Sequence, residues 1–143
     1  MSSESNKTLA RRLTEALDEG NVDELRELLS PDFVSHFGGL PQPLTREQYI
    51  QVNTMAKAAF ADLKRTVEDL IAESDKVAVR ITARGTHTGT FQGIAATGKR
   101  TEITGIAIRQ IADGKIVAEW VVNDQLGLLQ QLGVIPPPGR AES

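Results

Sequence analysis

Two hydrophobic periods divide the chain. Up to about residue 60, apolar residues recur every three or four positions; beyond residue 62 they recur every second one. The first spacing belongs to amphipathic helices and the second to half-buried strands. Lys7 to Glu19 is predicted helical, with Leu9, Leu13, Ala16 and Leu17 on one face. Gly20 suits the left-handed position after a helix end. Asn21 caps a second helix, with Glu24 three residues on as in a capping box, and Val22, Leu25, Leu28 and Leu29 form its apolar side. Pro31 follows its end, and Asp32 to Phe37 is a short strand. Gly38–Leu44 is a loop rich in glycine and proline. Thr45 and Gln48 then form a capping box for a third helix carrying Tyr49, Val52, Met55, Ala56 and Phe60.

The second texture begins with a strand from Lys64 to Ser74 and a turn at Ser74-Asp75. From Lys76 to Thr90, Val77, Val79, Ile81 and Ala83 alternate with Ala78, Arg80, Thr82 and Arg84. Ala95–Lys99 is a turn. Arg100–Ala112 is a strand with apolar residues on both faces, Asp113-Gly114 a hairpin turn, and Lys115–Asn123 the returning strand. Gln125 to Leu132 closes as a short helix. Helices followed by hairpin-linked strands define an α+β fold. The expectation is one domain over residues 1–143, with an ordered core at about 7–135. A polar segment, Met1–Asn6, and a proline-rich tail from Pro136 to Ser143 are expected outside that core.

Composition narrows the function. The 143 residues include no cysteine, which removes disulfides, thiolate metal sites and cysteine nucleophiles. The net charge of −3, with no basic stripe, argues against nucleic acid. No apolar run approaches a membrane span and no signal-peptide pattern opens the chain, so the expected location is cytoplasmic. Aromatics are 4% of residues, so any pocket is lined mainly by aliphatic side chains.

Two polar residues fall on apolar faces by parity. His87 continues the series Val77, Val79, Ile81, Ala83, Gly85. Asp124 continues Ile116, Ala118, Trp120, Val122, provided no bulge interrupts the strand. One reading is an acid/base pair at the mouth of an aliphatic pocket, the carboxylate removing a proton alpha to a carbonyl and the imidazole assisting. The bland readings are a helix N-cap for Asp124 and a satisfied turn histidine for His87. His36 shares parity with Val34, against Phe33, Ser35 and Phe37, and its face is open. Arg80, Arg84 and Arg109 suit solvated positions, although Arg109 shares parity with Ile103, Ala107 and Ile111 and could reach a pocket or an interface. No HExxH, GxSxG, GxGxxG or Walker pattern is present.

Five stretches occur in order: Asp75-Lys-Val-Ala-Val-Arg80, Gly85-Thr-His-Thr-Gly89, Ala96-Thr-Gly-Lys99, Asp113-Gly-Lys-Ile-Val-Ala-Glu-Trp120 and Asn123-Asp124-Gln-Leu-Gly-Leu-Leu-Gln-Gln-Leu-Gly133. Together they resemble the SnoaL-like polyketide cyclase (ester cyclase) family of the nuclear transport factor two-like superfamily. The resemblance implies a cone-shaped, curved, mostly antiparallel sheet covered by N-terminal helices around an internal pocket. It implies aldol ring closure of a small apolar carbonyl compound without metal or organic cofactor, Asp124 as acid/base, His87 as its helper and a homo-oligomer (dimer or tetramer). Trp120, His36, Phe33, Tyr49, Met55 and Phe91 are the expected substrate-binding residues. Non-catalytic pocket proteins and hydroxylation-related accessory proteins of the same family are the competing expectations. Ala95-Ala96 stands where prolines are common, and Glu119 where a histidine often precedes the tryptophan. The sparse aromatic residues point to a smaller or aliphatic ligand.

Overall fold

The structure, a computed structural model, describes residues 2–136. Met1 and all of the proline-rich tail beyond Pro136 lie outside the described residues. Helix α1 (Ser3–Glu19) starts a turn earlier than the apolar period predicts, because Ser2 and Ser5 form a capping box. Ser5 donates its backbone N–H to Ser2 Oγ at 3.0 Å, and Ser2 returns the bond to Ser5 Oγ at 3.1 Å. The amino-terminal segment therefore does not lie wholly outside the core: Asn6 is buried and reaches the carbonyl of Ser74. Gly20, at φ 66°, ends α1 in the left-handed conformation.

Helix α2 (Val22–Leu28) is capped by Asn21, and the chain passes directly into β1 (Leu29–Phe37). A two-residue strand, β2 (Leu44–Thr45), leads into α3 (Arg46–Ala59), capped by Thr45 and Gln48 as the sequence predicts. Strands β3 (Lys64–Glu73), β4 (Lys76–Thr86), β5 (Arg100–Ala112) and β6 (Lys115–Asn123) follow, then α4 (Gln125–Gln131). The six strands form one curved sheet in the order β2-β1-β6-β5-β4-β3, in which only β1 and β6 run parallel. Asp113 and Gly114 both have positive φ, the requirement of a tight primed hairpin turn.

Helices α1 and α2 cover the concave face of the sheet. Leu13, Leu29, Val77, Val79 and Ile116 have no exposed surface, and Phe33 has almost none. Each such aliphatic or aromatic side chain contributes about 1.5–3 kcal/mol relative to exposure. A second cluster, of Phe60, Leu128 and Leu132 with Leu63, Phe91 and Ile103, joins the end of α3 to α4 and the loop after β4. Strand β4 stops at Thr86, four residues short of the alternation. There the chain bulges into loop 88–98, closed at its base by His87 N–H to Lys99 O (2.9 Å) and Gly98 N–H to His87 O (2.8 Å).

One irregularity governs the site. On the β5–β6 hairpin, Ile111 pairs with Ile116, but Gln110 pairs with Ala118, so Val117 is an extra residue on β6. Such a bulge inverts the faces of every residue beyond it. Ile116 points inward; after the bulge the inward set is Glu119, Val121 and Asn123, while Trp120 and Val122 face outward.

Candidate functional site

The concave face of the sheet, α3, α4 and loop 88–98 enclose a cavity of about 200 Å³. Its walls are mainly apolar: Phe37 from β1, Val52 and Ala56 from α3, Ile81 and Ala83 from β4, Ile103 and Ala107 from β5, and Val121 from β6. Phe60, Phe91 and Leu128 close one side. Phe91 packs edge-on against Phe60, with ring centroids 5.3 Å apart.

The polar groups of the inner wall form a connected set. Arg109 and Glu119 face each other across β5 and β6, both 2% exposed, with Arg109 Nε 3.0 Å from Glu119 Oε2. Glu119 also accepts from Ser35 Oγ at 3.1 Å and from the Tyr49 hydroxyl at 3.3 Å. Arg109 Nη1 donates to Ala10 O (2.6 Å) and Thr14 Oγ1 (2.8 Å), which ties the pair to α1. An ion pair taken out of water needs such additional bonds to offset its desolvation. Burial, with the negative charge of Glu119 second, pushes the Tyr49 phenol far above its ordinary range, so it remains a proton donor. Nearby, Arg65 donates to Asp18 Oδ1 (2.9 Å) and Asn53 Oδ1 (3.2 Å).

Sequence reasoning left Arg109 open between solvent, a pocket and an interface, and saw Glu119 only as a departure from the family pattern. The structure buries both. The missed signal is the pairing of opposite charges on the two arms of one hairpin. The unbulged register, however, would put Ala118 opposite Arg109.

Several expected site residues lie elsewhere. Trp120 and His36 stack on each other on the outer face, with centroids 5.4 Å apart and planes 8° from parallel, because the bulge turns Trp120 outward. Met55 is 62% exposed. Phe33 is buried in the core behind Tyr49, in edge contact at 5.0 Å. Neither Phe33, His36, Met55 nor Trp120 lines the cavity; Tyr49 and Phe91 do.

Asp124 is exposed and caps α4, accepting from Gly127 N–H at 2.9 Å through Oδ1. A side chain on Gly127 would collide with this carboxylate. The parity argument for Asp124 fails with the bulge: its neighbours Asn123 and Gln125 line the cavity, and Asp124 itself does not. His87 is fully buried, stacked on Phe60 at 5.2 Å, and so lies behind the cavity wall rather than on it. Its Nδ1 accepts from Thr97 N–H at 3.2 Å and lies 3.0 Å from Thr97 Oγ1. The His87 Nε2 is buried without a partner among the described residues. No hydrogen bond joins Asp124 to His87 among the described residues.

Residues 7–132 match the family described as SnoaL-like polyketide cyclase. The chain belongs to this SnoaL-like family. Aklanonic acid methyl ester cyclase DauD of Streptomyces sp. (strain C5) is 32% identical over 87% of this chain and 80% of its own length. The enzyme of the same name from Streptomyces peucetius, DnrD, is 31% identical over 87% of this chain and 88% of its own. Among solved structures, IdmH of Streptomyces antibioticus, a candidate polyketide cyclase, superposes with a TM-score of 0.82 at 36% identity, covering 90% of this chain and 99% of its own. AclR of Streptomyces galilaeus, a candidate hydroxylase, gives 0.86 at 30% identity, covering 94% and 100%. The SnoaL-like fold is thus shared by chains of more than one named activity. No helix among the described residues is long and apolar enough to cross a membrane.

Proposed function

We propose that this protein is a cofactor-independent cyclase that closes a ring in a small polyketide-type carbonyl compound by intramolecular aldol addition. The observation that carries the reading is an aliphatic cavity with a fixed polar set, Tyr49, Glu119 and Arg109, at its inner wall, in a chain whose curated relatives are named cyclases. The carboxylate of Asp124 is the acid/base. It takes a proton from a carbon alpha to a carbonyl, the resulting enolate carbon bonds to a second carbonyl carbon of the same molecule, and the new alkoxide oxygen takes the proton back. The sequence is redox-neutral and balances without a further reactant. Asp124 Oδ2 makes no hydrogen bond among the described residues, and one protein bond on Oδ1 holds the carboxylate in place. His87, in the same proposal, supports the wall by fixing Phe60 and the base of loop 88–98.

The test separates capping from chemistry. Asp124→Asn keeps a good N-cap and loses the base; Asp124→Ala loses both. With aklanonic acid methyl ester and shorter β-keto esters as substrates, Asp124→Asn is expected to reduce kcat by about 10²–10⁴ with little change in stability. Asp124→Ala should in addition cost about 0.5–2 kcal/mol. Wild-type turnover by the asparagine variant would remove Asp124 from the chemistry.

A homo-oligomer belongs to the same proposal. The outer sheet face exposes Ile106, Ile108, Trp120 and Val122, adjacent through the pairs Ile106–Val122 and Ile108–Trp120. A second copy covering that face makes a dimer. A cytoplasmic location is proposed too, on the absence of cysteine, which suits a reducing compartment.

A further inference from the structure

The inward residues of β5 and β6 form a ladder along the cavity wall. Arg109 faces Glu119, Ala107 faces Val121, and Gly105 faces Asn123. The first rung is charged and saturated with hydrogen bonds, the second is apolar, and the third carries a single uncharged amide. Asn123 lies four residue steps along the strand from Glu119, about 13 Å at ~3.3 Å per residue. Asn123 is half-buried and lines the cavity, yet its side chain makes no hydrogen bond to any of the described residues. A neighbouring backbone bond, Asp124 N–H to Thr104 O at 3.0 Å, fixes the strand end that carries it.

Opposite it, Gly105 does not have a positive φ, so no backbone requirement explains a glycine there. Space does. A Cβ built on Gly105 would fall inside the van der Waals shell of Asn123 Oδ1 and within 3.2 Å of the Val122 carbonyl oxygen. The missing side chain leaves the amide room to lie flat across β5.

We infer that the Asn123 side-chain amide binds a carbonyl oxygen of the ligand, and that Gly105 is kept bare to seat it. The inference deepens the cyclase reading, on which it rests, by assigning the ligand class: a β-dicarbonyl compound whose oxygens meet Asn123 at the end of β6 while its apolar part lies along Ala107 and Val121. A carboxamide suits this task. Its N–H donates to the carbonyl oxygen and donates more strongly as charge builds there on enolisation, and its oxygen accepts from an enol hydroxyl.

The test uses benzoylacetone, a soluble β-diketone, and butylbenzene, of similar size without oxygens, with the wild-type chain and with Asn123→Leu, Gly105→Ala and the double variant. Affinities come from NMR titration, with the Asn123 side-chain N–H₂ resonances followed directly and thermal unfolding as a control for folding. Benzoylacetone is expected to shift those resonances and butylbenzene to leave them in place. Asn123→Leu should weaken benzoylacetone about three- to tenfold and leave butylbenzene unchanged or tighter. Gly105→Ala, which displaces the amide, should reproduce that loss, and the double variant should be no weaker than Asn123→Leu alone. Undiminished benzoylacetone affinity in Asn123→Leu, unmoved Asn123 resonances in the bound state, or no binding of the diketone would each overturn the inference. Failure to turn over any keto ester, with diketone binding and its Asn123 dependence intact, would instead count against the cyclase reading.

Discussion

Replacing Arg109 with methionine tests whether the charged rung is a structural anchor. The side chain is 2% exposed and holds three hydrogen bonds, one to Glu119 and two to α1. Methionine fills much of the same volume and removes the charge. Glu119 is then a buried carboxylate with only the Ser35 and Tyr49 hydroxyls as donors. Breaking one side of a buried pair costs about 3–5 kcal/mol. An unfolding entropy of about 2.1 cal/mol/K per residue makes that a fall in Tm of roughly 10–17 °C for a chain of this size. Urea denaturation followed by far-ultraviolet circular dichroism, with thermal melts beside it, measures both. The control is Arg109→Met with Glu119→Gln. If the cost is the stranded charge, the double variant should regain most of the lost stability, since neutral replacement of a buried pair is often near neutral overall. A loss below about 1 kcal/mol in the single variant would mean that water reaches Glu119 through the cavity. A double variant as unstable as the single would place the cost in the bonds to Ala10 and Thr14. Either result refutes the anchor argument in the form given.

Tyr49 is the only tyrosine in the chain, so absorbance at 295 nm reports its ionisation alone. Its folded pKa is raised, so the stability it contributes is complete below the unfolded value near 10 and is lost as pH rises beyond it. The expected titration shows no phenolate until the protein unfolds; a normal curve near pH 10 in the folded protein would show that the hydroxyl is not sequestered. For the oligomer, Ile106→Lys or Val122→Lys places a charge on the exposed apolar face, and sedimentation velocity should show a shift from dimer to monomer with the fold retained. A monomeric wild type would dispose of that interface.

Much of the architecture was readable in the residues. The Thr45/Gln48 capping box, the Asn21 cap, the Asp113-Gly114 turn and the alternation along β4 and β5 are local signals that the structure follows, although the Glu24 carboxylate pairs with Arg12 instead of returning a bond to the Asn21 backbone. The early start of α1 was missed because serine at the third helical position completes a capping box less recognisably than glutamate does. The site was legible only in outline. The family stretches pointed to the end of β6, where Asn123 and Gln125 but not Asp124 line the cavity, and alternation pointed to its outer face. One extra residue at Val117 exchanges the roles of two neighbouring sets, sending Trp120 and Val122 to the outer face and Glu119, Val121 and Asn123 into the cavity.

That exchange has a sequence trace in hindsight, and it is an energetic one. Without the bulge, Glu119 and Asn123 would face outward, and Trp120 and Val122 would fill the interior beside Arg109. A buried guanidinium would then have no carboxylate opposite it, at a cost of several kcal/mol. With the bulge, the charges meet, Gly105 faces Asn123 instead of Val122, and the apolar outer residues form one continuous row with Ile106 and Ile108. Binary patterning treats each strand alone and finds Trp120 and Val122 the more natural interior. Pairing the two strands reverses that preference: the position of one arginine on β5 decides which face of β6 the cavity sees.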